Sequence, residues 1–171
     1  LGAWTTDSTL ADSCQNNILG QHCYRINLQQ DNKNFTFGQQ CHDINIAKNN
    51  AEGGSFGTCC SNITYVAYST TKESRCNKNS FGPQCEWITL YPNCNNNLFL
   101  DYDTNCTLGE GCCNNSFDIN VNQVVLGKNC SYNSFGNRTN NIRFGDNCNS
   151  NELQVRVENC IFGNCCNSNI I

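Results

Sequence analysis

The sequence predicts an all-β, cysteine-rich chain that folds as a β-solenoid (a β-helix or β-roll) of about nine 18-residue coils. Cysteines recur at an almost constant spacing over most of the chain. Apolar and polar residues alternate between them, and no apolar stripe with helical spacing is longer than a turn or two. Asn, the commonest residue type, also disfavours long helices because its side chain competes for backbone hydrogen bonds.

A repeat becomes visible when the chain is divided after each of nine column cysteines. These are Cys23, Cys41, Cys59, Cys76, Cys94, Cys112, Cys130, Cys148 and Cys165. Each unit reads x-x-N-x-[LIF] near its start and [LFV]-G-x-x-C at its end. The two apolar positions lie nine residues apart, so the unit divides into two related nonapeptides, and residues 79–85 (NSFGPQC) show the motif whole. The fourth segment, which ends at Cys76, fits worst because it lacks Gly.

Each coil is expected to contain two short strands. Apolar residues alternate with polar ones at Phe117, Ile119 and Val121, which is the pattern of a strand. One strand pair cannot bury its apolar face alone, but stacked coils can, with each side chain on its equivalent ~4.8 Å away.

The coils are expected to form a single repeat domain over residues 1–171. Residues 1–5 form an N-terminal cap in which Trp4 covers the first coil. The nine coils occupy residues 6–165, and residues 166–171 begin a further coil or form a C-terminal cap. The alternative is three compact lobes, as in a trefoil, because three cysteine doublets recur at equal intervals. The doublets are Cys59-Cys60, Cys112-Cys113 and Cys165-Cys166.

Asn and Gly have structural roles in this prediction. Six successive segments have Asn at their third position, and stacked Asn side chains can hydrogen-bond along the axis as an amide ladder. These residues are Asn62, Asn79, Asn97, Asn115, Asn133 and Asn151. Gly at the turns is expected to adopt positive φ, and Asn at the other turns tolerates the same left-handed region.

The cysteines allow two interpretations. Stacked neighbours have Cα atoms ~4.8 Å apart, within the range of a disulfide. The bridged neighbours would be Cys23–Cys41, Cys59–Cys76, Cys94–Cys112 and Cys130–Cys148, with local disulfides between Cys106 and Cys113 and between Cys160 and Cys166. Alternatively, the column cysteines are thiols that act as small apolar residues in the core. Disulfides imply an oxidising compartment, whereas thiols imply assembly in the cytosol.

Six N-x-[ST] sequons are candidate N-glycosylation sites of a secreted chain. They begin at Asn34, Asn62, Asn105, Asn114, Asn129 and Asn137. Trp87 and Tyr91 form a candidate sugar-stacking patch, because aromatic faces pack against sugar rings. A core or capping role is the alternative for Trp87.

Composition and spacing argue against several other functions. Charged residues make up 14% of the chain and the formal net charge is -4, so the clustered basic surface that nucleic acids require is missing. No stretch approaches the ~18 consecutive apolar residues of a membrane helix. The only histidines are His22 and His42 and there is no C-x-x-C motif, so we expect no metal site and no cofactor. We find no catalytic constellation, and we interpret Asp101 and Asp103 as part of a solvated strand face rather than as a glycosidase pair.

The tandem N-x-[FL]-G-x-x-C nonapeptide resembles the repeats of β-helical tail-fibre and adhesin-like proteins of phages and other viruses. Residues 77–94 and 131–148 carry the greatest similarity, which extends over nearly the whole chain. The resemblance implies a rigid shaft or receptor-binding fibre, often a homotrimer, without enzymatic activity. Residues 60–64 (CSNIT) and the roughly 50-residue repeat are also similar to cyanovirin-type lectins, which implies carbohydrate binding.

The preferred hypothesis is a non-enzymatic structural or adhesive β-solenoid of an extracellular fibre or virion tail. It would self-associate as a homotrimer or filament and could contact a receptor or a surface glycan. The alternative is a secreted, disulfide-bonded, lectin-like carbohydrate-binding protein. Both hypotheses place the chain outside the cell or on a virion surface, and neither requires nucleic acid, membrane insertion or a cofactor.

Overall fold

The computed structural model describes residues 2–11, 14–29, 32–47, 53–66, 77–90 and 92–171. Over these residues the chain is all-β and forms a β-solenoid of stacked parallel strands, which confirms the predicted fold class. Successive strands alternate between two eight-stranded parallel sheets that run along the solenoid. Both sheets continue through all three candidate lobes, so the trefoil alternative is wrong.

The two sheets differ in the length of their strands. The long-strand sheet contains β1 (Thr9–Leu10), β3 (Tyr24–Leu28), β5 (His42–Ala47), β7 (Ser61–Val66), β9 (Glu86–Leu90), β11 (Thr104–Leu108), β13 (Asn122–Leu126) and β15 (Asn140–Phe144). The short-strand sheet contains β2 (Ile18–Leu19), β4 (Thr36–Phe37), β6 (Ser55–Phe56), β8 (Ser80–Phe81), β10 (Leu98–Phe99), β12 (Ser116–Phe117), β14 (Ser134–Phe135) and β16 (Glu152–Leu153).

The structure forms about seven turns rather than the nine coils predicted. Most strands pair with the equivalent strand of the next coil, as Phe99 does with Phe117. One longer turn, however, separates Ser61 from its partner Glu86. The poorly matching fourth segment falls between these two partners in the sequence, and residues 67–76 of it lie outside the described residues. Beyond the first and last strands of the long-strand sheet, pairing is reduced to isolated bridges such as Asn140 with Glu158.

Inward-facing side chains form columns parallel to the solenoid axis. The most regular column is aromatic, with neighbouring ring centroids 4.4–5.2 Å apart and ring planes within 21° of parallel. It consists of Phe37, Phe56, Phe81, Phe99, Phe117 and Phe135, all of them buried. Aliphatic columns on the long-strand sheet, such as Leu90, Leu108 and Leu126, pack in the same core. Stacking of equivalent residues therefore fills the interior, as the sequence predicts.

The amide ladder is confirmed from Asn79 to Asn151, and it continues to Asn169. At each step, Oδ1 of the Asn in the next coil accepts hydrogen bonds from the backbone N–H and from Nδ2 of the Asn before it, at 2.9–3.1 Å. Nδ2 of Asn133 also donates to the carbonyl of Cys112, in the preceding coil, at 3.2 Å. These buried amides are thereby satisfied without water.

Asn62 does not belong to the ladder, so this part of the prediction is wrong. It is exposed on the long-strand sheet and donates to Oδ1 of Asp43 at 2.8 Å. The ladder instead begins where the backbone N–H of Gly54 donates to Oδ1 of Asn79 at 2.9 Å. The longer turn spans 25 residues instead of 18 and so shifts the phase of the alignment by seven, which leaves Asn62 on the long-strand sheet and Asn79 just before β8 of the short-strand sheet.

Residues with positive φ follow the nonapeptide rather than the 18-residue unit, and some of them lie near the start of a long strand rather than in a turn. From Asn114 onward they alternate at intervals of six and three residues, beginning with Asn114, Asn120, Gln123, Asn129 and Tyr132. Asn is the most frequent residue type among them, as expected from its tolerance of the left-handed region. The chain is therefore rich in Asn for the two reasons that the sequence predicts, turns and a ladder.

The motif glycines have a different role from the one predicted. Among the described glycines, only Gly53 and Gly111 have positive φ. A Cβ atom at Gly127 would lie 2.7 Å from the carbonyl carbon of Gly109 and 2.8 Å from the backbone nitrogen of Glu110, both in the preceding coil. Glycine is needed at this position because neighbouring coils approach too closely for any side chain.

Trp4 does not cover the first coil. Its side chain is 63% exposed and stacks on the ring of His22 at the outer surface, with the ring centroids 4.2 Å apart. Both residues have positive φ and occupy equivalent turns. The left-handed backbone directs both side chains outward, so Trp4 does not reach the open face of the coil.

We expect Asn115→Ala to lower the free energy of unfolding by roughly 3 kcal/mol, because two buried donors of Asn97 lose their shared acceptor. Urea unfolding followed by circular dichroism measures the change. Ser116→Ala, at the exposed next position, is the matched control and should change stability by less than about 0.5 kcal/mol. Equal unfolding midpoints for the two variants would show that the ladder does not stabilise the fold.

Gly127→Ala tests the close approach of neighbouring coils. The new methyl group must displace backbone atoms of the preceding coil, so we expect a loss of about 1–3 kcal/mol of stability. Gly2→Ala is the control, because no atom lies within 4 Å of the position that its Cβ would occupy. Thermal unfolding compares the two variants, and an unchanged melting temperature for Gly127→Ala would contradict the steric explanation.

Candidate functional site

The structure divides the predicted cysteine column into two columns at different corners of the solenoid. The first corner is lined by Cys23, Cys41, Cys60 and Cys85, and then by Asp103, Val121 and Thr139. The second corner is lined by Cys94, Cys112, Cys130, Cys148 and Cys166. The prediction that cysteines stack inward is thus confirmed for most positions, but they do not form one column.

Two of the predicted column members do not face the core. Cys59 and Cys165 are turn residues with φ of 57° and 56°, and the next residue in each case, Cys60 or Cys166, occupies the corner instead. In the middle doublet it is the first cysteine, Cys112, that is buried. The regular spacing of the doublets is therefore not a structural repeat, because the doublets do not present equivalent residues. Cys76 lies outside the described residues.

The corner thiols take part in the backbone hydrogen bonding of the coils. Sγ of Cys130 donates to the carbonyl of Gly109 at 3.2 Å, and Sγ of Cys148 donates to the carbonyl of Gly127 at 3.2 Å. A corner thiol can also accept, since the backbone N–H of Cys23 lies 3.4 Å from Sγ of Cys41. None of the fifteen described cysteines forms a disulfide. These contacts support the interpretation of the corner cysteines as buried thiols.

The predicted local disulfides are not formed either. Cys106 and Cys160 do occupy equivalent inward positions of the long-strand sheet, three coils apart. Their expected partners lie elsewhere: Sγ of Cys113 donates to the carbonyl of Asn129, and Cys166 lies at the second corner. Burial raises the pKa of the Cys106 thiol well above its usual value, and the nearby Asp103 carboxyl adds to this shift.

Asp103 occupies the first corner, at a position where the preceding coils have cysteine. It is fully buried, and Oδ1 accepts a hydrogen bond from the backbone N–H of Cys85 at 2.8 Å. Oδ2 is buried without a partner among the described residues. Burial raises the pKa of this carboxyl to about 8, although the hydrogen bond from Cys85 opposes the shift. The interpretation of Asp101 and Asp103 as a solvated strand face is therefore wrong for Asp103.

The protonated Asp103 carboxyl can replace a corner thiol, because both groups are neutral and both accept from a backbone N–H of the preceding coil. An ionised carboxylate would lose the donor and would be desolvated, which is why burial favours the neutral form. Sequence reasoning named Asp103 but assigned it to a solvated face, since its place at the first corner is visible only when its phase relative to Cys85 is known.

The sequon residues lie mainly on the surface. Asn34, Asn62, Asn114, Asn129 and Asn137 are exposed, and Asn105 is half-buried. Some of these amides have partners in neighbouring coils; Nδ2 of Asn129, for example, donates to Oε1 of Glu110 at 2.9 Å. Their exposure is compatible with glycosylation, which stays a prediction.

Trp87 is an outer-surface residue and does not belong to the core. Its side chain is 56% exposed, and its φ of 57° lies in the left-handed region. Tyr91, the second member of the predicted patch, lies outside the described residues. Among the described residues around Trp87, Asn105 was selected from the sequence, as a sequon, but the others were not.

Trp87 and seven other residues form a shallow groove of about 490 Å³ on the outer face of the long-strand sheet, from β9 to β15. We name it the outer lane. One row consists of Trp87, Asn105, Gln123 and Asn141, and the second row consists of Thr89, Thr107, Val125 and Arg143. Successive members of each row occupy equivalent positions of successive coils, so the repeat period counted from Trp87 would have found them.

Comparison with known proteins finds no match: no family model, no curated protein and no solved structure matches this chain. Within the described part of the chain, no group of three or more His, Cys, Asp or Glu residues is placed to hold a metal ion. No helix in the same part is long and apolar enough to cross a membrane. The outer lane is the candidate site because it brings an aromatic ring, amide and hydroxyl groups and a guanidinium together in one groove.

Asp103 predicts a specific dependence of stability on pH. Its pKa is about 8 in the folded chain and ~3.9 when unfolded, so the folded state binds more protons between these values. The contribution of Asp103 to stability is fully present below about pH 4 and is lost as the pH rises to about 8. Asp103→Asn, which keeps an acceptor and a donor, should remove this slope from urea unfolding measured between pH 4 and pH 9. Parallel pH profiles for the two proteins would contradict a buried neutral carboxyl.

Alkylation distinguishes the corner thiols from the turn thiols. Burial raises the pKa of Cys148 to about 11, whereas Cys165 is exposed. In the reduced, folded protein at pH 8, we expect iodoacetamide to modify Cys165 at least about tenfold faster than Cys148, since only an accessible thiolate reacts. Peptide mass spectrometry measures both rates, and protein unfolded in urea is the control in which they should become similar. Equal rates in the folded protein would show that the second corner is open.

Proposed function

We propose that this chain is a non-enzymatic structural or adhesive β-solenoid of an extracellular fibre or virion tail. The observation that carries the proposal is the continuity of its axial interactions. The Phe column, the amide ladder and both sheets join each coil to the next over most of the described length. A rod held together along its axis in this way is suited to bear load or to present a surface.

The buried polar groups support a structural role. The ladder amides and corner thiols, such as Asn115 and Cys130, direct their hydrogen bonds to neighbouring coils. Asp103 likewise binds the coil before it, through the N–H of Cys85. These groups therefore stabilise the stack, and the outer faces remain for contact with partners.

An extracellular location is part of the same proposal. Five exposed sequon residues, among them Asn114 and Asn137, support secretion and glycosylation. Disulfides between stacked cysteines such as Cys94 and Cys112 are part of this proposal, and oxidation would have to replace the thiol contacts that the described structure forms at the second corner. Exposed apolar and aromatic side chains, such as Tyr132 (65%) and Val155 (70%), offer surface for self-association as a homotrimer or filament.

Shape and assembly test the proposed function. The chain secreted from eukaryotic cells should form elongated trimers or filaments, seen by negative-stain electron microscopy and by light scattering after size exclusion. Protein unfolded in urea controls for non-specific association. A compact monomer that hydrolyses glycosidic or peptide substrates would overturn the proposal.

Intact mass tests the location. The secreted protein should gain hexose mass that glycosidase treatment removes, and reduction should add two hydrogens for each disulfide. The same chain made in a reducing cytosol is the control and should have the bare-sequence mass. A secreted product with that mass, all of its thiols intact, would contradict an extracellular form stabilised by disulfides.

A further inference from the structure

The outer lane has an unusual residue at one end. Trp87 combines an exposed aromatic side chain with a left-handed backbone, at a position where later coils have Asn105, Gln123 and Asn141. A bulky residue at positive φ is strained, and an exposed indole gains little from burial. The left-handed backbone recurs at the equivalent positions of the other coils, so it belongs to the fold. The feature that distinguishes Trp87, and that favours a role in recognition, is its exposed indole at the end of a groove of polar side chains.

The remainder of the outer lane provides polar recognition. Amide and hydroxyl groups from Asn105, Thr107 and Gln123 can each donate and accept hydrogen bonds, as sugar hydroxyls require. Trp87 supplies a flat apolar face for the carbon side of a sugar ring. At the far end Arg143 is exposed and makes no ion pair within the described part of the chain.

Charge along the outer lane is unequal. No carboxylate is among its eight residues, although exposed Glu86 is adjacent to Trp87 and exposed Glu158 lies one coil beyond Asn140. Arg143 carries the one charge among the eight residues, so an anionic group would bind there, where a guanidinium can bind a carboxylate with two hydrogen bonds. The two ends are three coils apart, or ~14 Å at one strand spacing per coil, which is the length of a short oligosaccharide.

We infer that the outer lane binds an extended acidic oligosaccharide, with one sugar ring stacked on Trp87 and a uronic-acid carboxylate bound to Arg143. The inference rests on the proposed adhesive function and gives it a ligand class. The amides between the two ends bind the sugar hydroxyls. Because the groove is open along the solenoid axis, it can bind an internal segment of an oligosaccharide as well as its terminal sugar.

Two ligands that differ only in charge test the inference. Isothermal titration calorimetry at low ionic strength compares tetragalacturonate with its carboxyl-reduced, neutral form. The wild-type protein should bind both, and the acidic form more tightly. Arg143→Gln should bring the affinity for the acidic form down to that for the neutral form and leave the latter unchanged.

Trp87→Asn introduces the residue that other coils have at this position, so the variant should fold. It should weaken binding of both ligands by about tenfold or more. Tyr132→Ala removes another exposed, left-handed aromatic residue outside the outer lane and should bind as the wild-type protein does. The fluorescence of Trp87, measured in a Trp4→Phe background, gives an independent readout of ligand stacking.

Some results would overturn the inference and leave the proposed function intact. If the wild-type protein forms rods but binds neither tetrasaccharide, the outer lane is not a glycan site. The same conclusion follows if Trp87→Asn binds as tightly as Tyr132→Ala. If the neutral form binds as tightly as the acidic one, Arg143 has no role in recognition and the inferred ligand class is wrong. Failure of the proposed function would instead be visible as a compact, unassembled protein.

Discussion

Neighbouring coils of this solenoid lie one strand spacing apart, about 4.8 Å, and their register places equivalent residues over each other. The other features depend on this constraint. Phe stacks on Phe because the next coil presents the same position to the core. Gly127 lacks a side chain because the backbone of the preceding coil lies where its Cβ would be. The residues of the nonapeptide motif are therefore those that fit between two neighbouring coils.

The same spacing determines how polar groups are buried. A side chain that both accepts from one neighbour and donates to the other can be repeated along the axis without leaving an unsatisfied atom. Asn meets this requirement in the ladder. A corner thiol is satisfied differently, because Cys166 both accepts from and donates to the preceding coil. Asp103 accepts from the preceding coil in the same way, and protonation removes the charge that burial disfavours, so its burial is sensitive to pH.

Outward positions are not subject to this constraint, so their residues vary from coil to coil. The positions equivalent to Trp87 are Asn, Gln and Asn in the next three coils, although the backbone at all four has the same left-handed φ. Variation at a structurally uniform position shows that folding does not determine which side chain stands there. For this reason the outer lane can present different side chains on coils that have the same backbone conformation.

The sequence alone determined the β-solenoid, the nonapeptide, the ladder from Asn79 to Asn151 and the use of Asn at turns, because each follows from periodicity. Only the tertiary structure decided which cysteine of each doublet faces inward and why the motif glycines are needed. It also decided which residues join Trp87 in the outer lane. The physical reason is that side-chain direction depends on the phase of each coil, which is shifted by the 19-residue step from His42 to Ser61 and again by the longer turn from Ser61 to Glu86. A one-dimensional alignment of cysteines does not detect the shift, whereas hydrogen-bonded register between strands does.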